Sequence, residues 1–298
     1  MASALPLGAT ESTLGIDTGG SCTDAPLLAD APAAVPPDVS DARDPIYYPG
    51  DTEHLKPLLK KLTYNIWLDQ KQIWTSPFHM NRHNAGLWVG FTAATAALIA
   101  TDHTTSRELA NSPGQVRAGN NISKIGSAYT VIPAAAAFYL TGVAVDSQKS
   151  RETGVLGAEA MLDSIVVYSV IKTVASRNRP NSKKDAGHFF RGGSSFPSGH
   201  AMTSWAFASV VAHEYAGTRW VPVTAYGLAA LVTGARFAAR QHYASDIVAG
   251  GAIGWFIGTY VYHTHEEHQG HRHGLISRVV PEIQPSTRTY AVALNLGH

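Results

Sequence analysis

Charged residues are spread so unevenly along the chain that they mark out its segments. Gly86 to Thr101, Ser127 to Val145, Trp220 to Ala235 and Ile247 to Tyr262 contain none. Two further apolar segments, about residues 155–176 and 201–216, carry Glu159, Asp163, Lys172, His213 and Glu214. Six Ala-, Gly- and Val-rich segments joined by short polar connections predict an all-α fold with a six-helix antiparallel bundle core. Segments of 16–22 residues stand at the border of the about 20 needed to span a bilayer. A soluble bundle would show a charged stripe on each helix, and several of these lack one, so the pattern predicts a membrane-embedded bundle. Gly250, Gly251, Gly254 and Gly258 would let the last helix approach a neighbour closely.

The flanks read differently. Residues 1–45 are rich in Ala, Pro, Asp, Gly, Ser and Thr and include the run Ala31 to Pro37. They cannot bury enough apolar surface to offset their ordering entropy, so a disordered lead-in is expected. No basic stretch followed by an apolar run precedes Cys22, and no secretory signal is expected there. Residues 46–85 form an amphipathic helical segment. Its Trp67, Ile73, Trp74 and Phe78 suit either a membrane interface or packing on the core. The tail, 265–298, is His-rich. His263, His265, His268, His271 and His273, with Glu266 and Glu267, could ligate a transition metal, but no spacing defines a geometry and no metal site is assigned. Tyr290 to Leu296 alternates weakly like a strand, with no evident partner.

Composition narrows the functions. The 298 residues are 45% hydrophobic and 15% charged, against about 25% charged in ordinary soluble domains. A net charge of +1 gives no field for nucleic acid, which is not expected as a partner. The single cysteine, Cys22, excludes an internal disulfide framework and a Cys-cluster metal site. No cofactor is expected.

Three blocks at the ends of apolar segments carry phosphate-holding chemistry. Lys172 and Arg179 are seven apart and would share a face if the helix continued, while Pro180 disfavours helix at Arg179 and frees its guanidinium. Pro197-Ser198-Gly199-His200 opens the fourth helix and offers N–H groups and a positive dipole end to an anion. Arg236, His242 and Asp246 bridge the fifth and sixth helices, with His242 and Asp246 spaced so that the carboxylate can accept from the imidazole. In an antiparallel bundle all three blocks fall at one rim. Arg177, Arg191 and Arg240 flank them and read as surface or interface charges, or as contacts to a second phosphate or to headgroups. His188, Phe189 and Phe190 lie in the connecting loop, where they either shape substrate entry or simply pack. Glu159 and Asp163 suit a buried polar network without a catalytic role.

This pattern resembles the type 2 phosphatidic acid phosphatase (PAP2) superfamily, which also includes bacterial class A acid phosphatases and vanadium haloperoxidases. The signature K-x6-RP, PSGH, SR-x5-H-x3-D stands here as Lys172 to Arg179-Pro180, Pro197 to His200, and Arg236 to His242 to Asp246, with Ala235 in place of the serine. The resemblance covers about residues 86–264. It implies His242 as nucleophile, forming a phosphohistidine. Asp246 would orient it, and His200 would serve as acid and then base. Lys172, Arg179 and Arg236, with Ser198 and the Gly199 N–H, would cradle the phosphate without a metal.

The function expected is a metal-independent phosphatase acting on a phosphomonoester or diphosphate of a lipid or isoprenoid. Its expected place is the cell membrane or envelope, with the site on the outer side of the inner membrane. Three alternatives share the motifs: a soluble exported acid phosphatase, a vanadium-dependent haloperoxidase, and a non-enzymatic headgroup-binding protein. Retention of both histidines and Asp246 argues against the last, since binding needs only the cations.

Overall fold

The computed structural model describes residues 55–78, 82–182 and 184–269, and two short strands, 281–283 and 290–292. The lead-in 1–45 and most of the histidine tail lie outside the described residues. Eight α-helices follow in order among them: α1 (Leu55–Thr75), α2 (Arg82–Glu108), α3 (Pro113–Ser123), α4 (Ala128–Ala144), α5 (Gln148–Ala175), α6 (Gly199–Glu214), α7 (Trp220–Ala238) and α8 (Ala244–Gln269). The six apolar segments are α2 and α4 to α8. α1 falls within the amphipathic segment. α3 was not expected, because its sequence is polar; it is started by Ser112, whose side chain accepts from the Gln115 N–H, and by Pro113 at its first turn. Tyr290–Val292 does find a partner, pairing antiparallel with Pro281–Ile283.

Four stretches, Ala85–Glu108, Pro113–Ala144, Gln148–Ala175 and Trp220–Ala238, are long and apolar enough to cross a membrane. Only 6% of the first and 17% of the second are buried within the protein. Their outer faces leave Val89, Tyr129, Leu140 and Val143 uncovered, a surface matched to lipid rather than water. The protein is membrane-associated.

α6 is the central post. Met202, Ala206 and Val210 are fully buried and pack with Leu156 and Ala160 of α5 and Ile257 and Val261 of α8. The closest approach is between α6 and α8. A Cβ placed on Gly254 would fall 2.1 Å from the Met202 carbonyl oxygen, and one on Gly258 would fall 2.2 Å from that of Ala206. One on Gly250 would fall 2.7 Å from the Ser198 oxygen. The glycines at every fourth position are therefore what lets the backbone of α8 lie directly on that of α6.

A methyl group at the tightest of these contacts must force the helices apart. Gly254→Ala is expected to destabilise by about 1–3 kcal/mol or more. Gly234→Ala on α7, where a Cβ meets nothing within 4 Å, is expected to be neutral or stabilising by up to about 1 kcal/mol. Thermal unfolding of both variants in detergent checks the contrast; equal effects would contradict it.

Candidate active site

The site begins with how two helices start and one ends. α5 stops at Ala175 because Ser176 adopts the left-handed conformation, φ 41°, and its N–H closes on the Lys172 carbonyl. Arg179 therefore lies in the connecting loop and not on a continuation of α5. α6 starts at Ser198, whose hydroxyl accepts from the Ala201 N–H. Ser198 is fully buried, and its own N–H donates to the Asp246 carbonyl at 3.0 Å. The first-turn N–H groups of Gly199 and His200 point their dipole at the rim. α8 starts with a cap in one direction: the Asp246 carboxylate, in its first turn, accepts from the Tyr243 N–H at 2.8 Å.

Beneath the rim lies a residue that the sequence did not mark as central. Arg177 is 1% exposed, so it is not the surface charge its position suggested. Its guanidinium donates to Asp246 Oδ1 at 2.7 Å and to Asp102 Oδ2 at 2.8 Å. It also donates to Ser245 Oγ at 2.8 Å and, through Nε, to the Gly187 carbonyl at 3.1 Å. The rings of Tyr243 and Phe189 lie 4.3 and 4.7 Å from its centre. Asp102 in turn accepts from the N–H and hydroxyl of Ser245. One guanidinium thus ties α2, the 176–198 loop and the start of α8 together through charge-assisted bonds.

His242 is 2% exposed and sits just before α8. Its Nδ1 is 2.7 Å from the Ser195 carbonyl oxygen and 3.8 Å from Asp246 Oδ2. A carbonyl can only accept, so Nδ1 carries the proton and Nε2 keeps its lone pair. Asp246 acts one step removed. Its Oδ2 accepts from Ser195 Oγ at 2.5 Å, so the carboxylate holds the residue that holds the imidazole. Burial pushes His242 below its ordinary value, with Arg236 and Arg179 adding to this and Asp246 opposing it. The ring is therefore neutral near pH 7. Burial alone would raise Asp246, but His242, Arg177 and Ser195 together hold it below its usual range.

The remaining candidate residues gather around these. Burial, then Arg236, His242, Lys172 and Arg179, push His200 down to about 4, which puts both histidines and all three cations in one electrostatic neighbourhood. Burial also lowers Arg179. Arg179 donates to Gln241 at 2.5 Å, and the Lys172 ammonium stands 4.7 Å over the Tyr168 ring. The Nε groups of Arg179 and Arg236 are buried and make no hydrogen bond. Two orphaned guanidinium donors beside a lysine are matched to a multivalent oxyanion. Arg240 donates to the Leu109 carbonyl at 2.8 Å and pins the loop after α7. Arg191 lies in the 176–198 loop, where its N–H donates to the Ser176 carbonyl at 3.0 Å. Ala235 is buried on α7. Arg177, Asp102, Ser195 and Ser245 are the members that motif spacing could not reveal. The only sequence signal for Arg177 was its place inside the first block.

The PAP2 superfamily pattern matches residues 154–269. Over 66 residues the chain is 38% identical to a lipid A 1-phosphatase of Porphyromonas gingivalis, a stretch that is 22% of this chain and 15% of that protein. The chain thus covers well under two thirds of that relative's length. The crystal structure of a transmembrane PAP2-type phosphatidylglycerolphosphate phosphatase from Bacillus subtilis is similar at a TM-score of 0.44 and 18% identity, over 71% of this chain and 96% of that one.

Two outcomes follow for the site. Arg177→Met leaves Asp102 and Asp246 buried without their shared cation and is expected to destabilise by about 3–5 kcal/mol; unchanged unfolding would contradict the clamp. His200 titrates near 6.5 when unfolded and about 4 when folded, so the unfolded chain binds the extra proton and stability falls as pH drops through that window. His200→Asn is expected to lose less Tm than the wild type across it, and parallel curves would contradict the assignment.

Proposed function

We propose that the chain, whose residues 154–269 match the PAP2 superfamily pattern, is a phosphatase acting on a lipid phosphate. The observation that carries this reading is His242: a buried, neutral imidazole whose Nδ1 proton is committed to the Ser195 carbonyl, with its Nε2 lone pair available beside three cations. That is the state a nitrogen nucleophile requires.

In the proposed reaction His242 Nε2 attacks phosphorus, and the bond to the leaving oxygen breaks as the N–P bond forms. Lys172, Arg179 and Arg236 hold the equatorial oxygens and take up their charge, which is most of what phosphoryl transfer asks of a protein. His200 gives its proton to the leaving oxygen. Burial first and then the surrounding cations depress it, so this step requires the negative phosphate to raise it again. In the second half His200 takes a proton from water, the water oxygen attacks phosphorus, and the N–P bond breaks to release phosphate. Asp246 steadies the imidazole as it gains charge, acting through Ser195.

Two features support a lipid substrate. Four stretches long and apolar enough to cross a bilayer support a substrate that is itself held in a membrane. An apolar cavity of about 580 Å³ is lined by Leu87, Trp88 and Phe91 of α2 and by Ile253, Phe256 and Tyr260 of α8. It begins seven residues along α8 from Asp246, about 10 Å below the rim, at the depth where acyl chains would run. The P. gingivalis relative is named for lipid A, which agrees with a phosphorylated lipid as the substrate class.

Phosphate release in detergent from phosphatidic acid, phosphatidylglycerol phosphate, an isoprenyl diphosphate and an aryl phosphate tests this. The lipid compounds are expected to be preferred, with activity unchanged when chelator is added at the start of the assay. His242→Ala is expected to lose at least about 10³-fold and His200→Ala about 10²–10⁴-fold. Full activity in His242→Ala, or loss on chelation that a divalent ion restores, would overturn the mechanism. Equal turnover of the aryl phosphate would overturn the lipid preference.

A further inference from the structure

We propose that Asp102 is a positioning residue for the reaction: by balancing Arg177 it leaves the charge of Asp246 available to His242. This rests on the reading of His242 as the nucleophile and adds to it a residue from outside the three motif blocks.

The origin of Asp102 in the fold is the first observation. Of the four stretches long enough to cross a membrane, the one on α2 is the least buried, at 6%. Among the described residues of α2 only Asp102 and Ser106 are buried, and Asp102 is 0% exposed. A carboxylate carried inward on an otherwise outward-facing helix is costly unless charge and hydrogen bonds meet it. Here both do. Oδ1 accepts from the Ser245 N–H at 3.1 Å, one of the donors that the first turn of α8 leaves without a partner inside the helix. Oδ2 accepts from the Ser245 hydroxyl and from Arg177 Nη2 at 2.8 Å. Ser245 Oγ in turn accepts from Arg177 Nη1 at 2.8 Å, so carboxylate, hydroxyl and guanidinium fix one another.

Charge balance gives this carboxylate its role. Asp246 Oδ2 lies 3.8 Å from His242 Nδ1, but Asp246 Oδ1 is tied to Arg177 Nη1 at 2.7 Å. Alone, that ion pair is neutral, and His242 would gain charge with no net counter-charge behind it. Arg236 and Arg179 both act against a positive ring. Asp102 holds the other terminal nitrogen of the same guanidinium, so Arg177, Asp102 and Asp246 together carry one net negative charge. It is buried, where attraction is screened least. It reaches the imidazole through Asp246 as N–P bond formation makes the ring positive. The steadying of His242 by Asp246 therefore requires Asp102.

The test uses the full chain in detergent. Asp102→Asn keeps the size of the side chain and removes its charge; it is expected to lower kcat about 10–100-fold with KM changed less than about threefold. Asp102→Glu, which restores the charge, is expected to recover part of the loss. The double variant Asp102→Asn/Arg177→Met returns the group to one net negative charge and is expected to turn over faster than Asp102→Asn despite a lower Tm. Should it fail to fold, Asp102→Glu carries the comparison. Lower Tm in Asp102→Asn with kcat per folded molecule unchanged, as a purely structural residue would give, would overturn the proposal. A second readout needs no turnover: NMR of isotope-labelled histidine, with the His242 signal assigned by its absence in His242→Ala. Asp246, Arg236, Arg179 and His200 act on that ring and stay unaltered in Asp102→Asn, so loss of one negative charge is expected to shift the His242 titration to lower pH. An unshifted titration overturns the proposal alone, whereas full phosphate release by His242→Ala overturns the nucleophile itself.

Discussion

Everything at the rim depends on one buried guanidinium. Arg177 takes two carboxylates out of water and compensates both, and those carboxylates belong to helices far apart in the chain. Removing charge from water costs several kcal/mol per ion, and only dense hydrogen bonding with good geometry offsets it. Arg177 meets that condition with four oxygen partners and two aromatic rings 4.3 and 4.7 Å from its centre. Because Asp246 is committed to Arg177, Ser195 and the cap of α8 at once, it has little freedom to shift. The imidazole held by Ser195 inherits that rigidity.

The residues readable in advance were those whose chemistry is local. Uncharged runs marked out α2 and α4 to α8, and the spacing of Lys172, Arg179, His200, Arg236, His242 and Asp246 placed them at helix ends that an antiparallel bundle brings together. What escaped was set by tertiary contacts. Nothing near Arg177 in the chain announces that Asp102, 75 residues away, will share its burial. His242 and Asp246 have the spacing of a direct pair, yet a backbone carbonyl from another segment takes the Nδ1 proton, and no side-chain pattern can encode a carbonyl. α3 escaped because its start signals are capping residues rather than apolar periodicity.

The two ends of the bundle are built on different physics. Between α6 and α8, close packing is achieved by leaving out side chains, with Gly254 and Gly258 resting on carbonyl oxygens. Between α1 and the bundle, Leu62 and Ile73 pack on the core, and amides and carboxylates such as Asn65, Gln70 and Asp163 add polar contacts beside them. The first kind of contact depends on shape and is indifferent to ionic conditions. The second depends on charge balance. One protein thus carries a tightly packed helix pair and, beside it, a helix whose attachment is partly polar.

The Ser195 contact bears on how such an enzyme can diversify. Ser195 lies in the same 176–198 loop that carries Arg179, Phe189 and Arg191, the segment best placed to meet different substrates. Its carbonyl fixes the tautomer of His242, the proposed nucleophile, its hydroxyl restrains Asp246, and its N–H is held by the Arg177 carbonyl at 2.8 Å. Recognition and reactivity are therefore not modular here. A loop transplanted to change substrate preference would have to bring its own carbonyl to the same point in space, or the histidine behind it would lose its orientation.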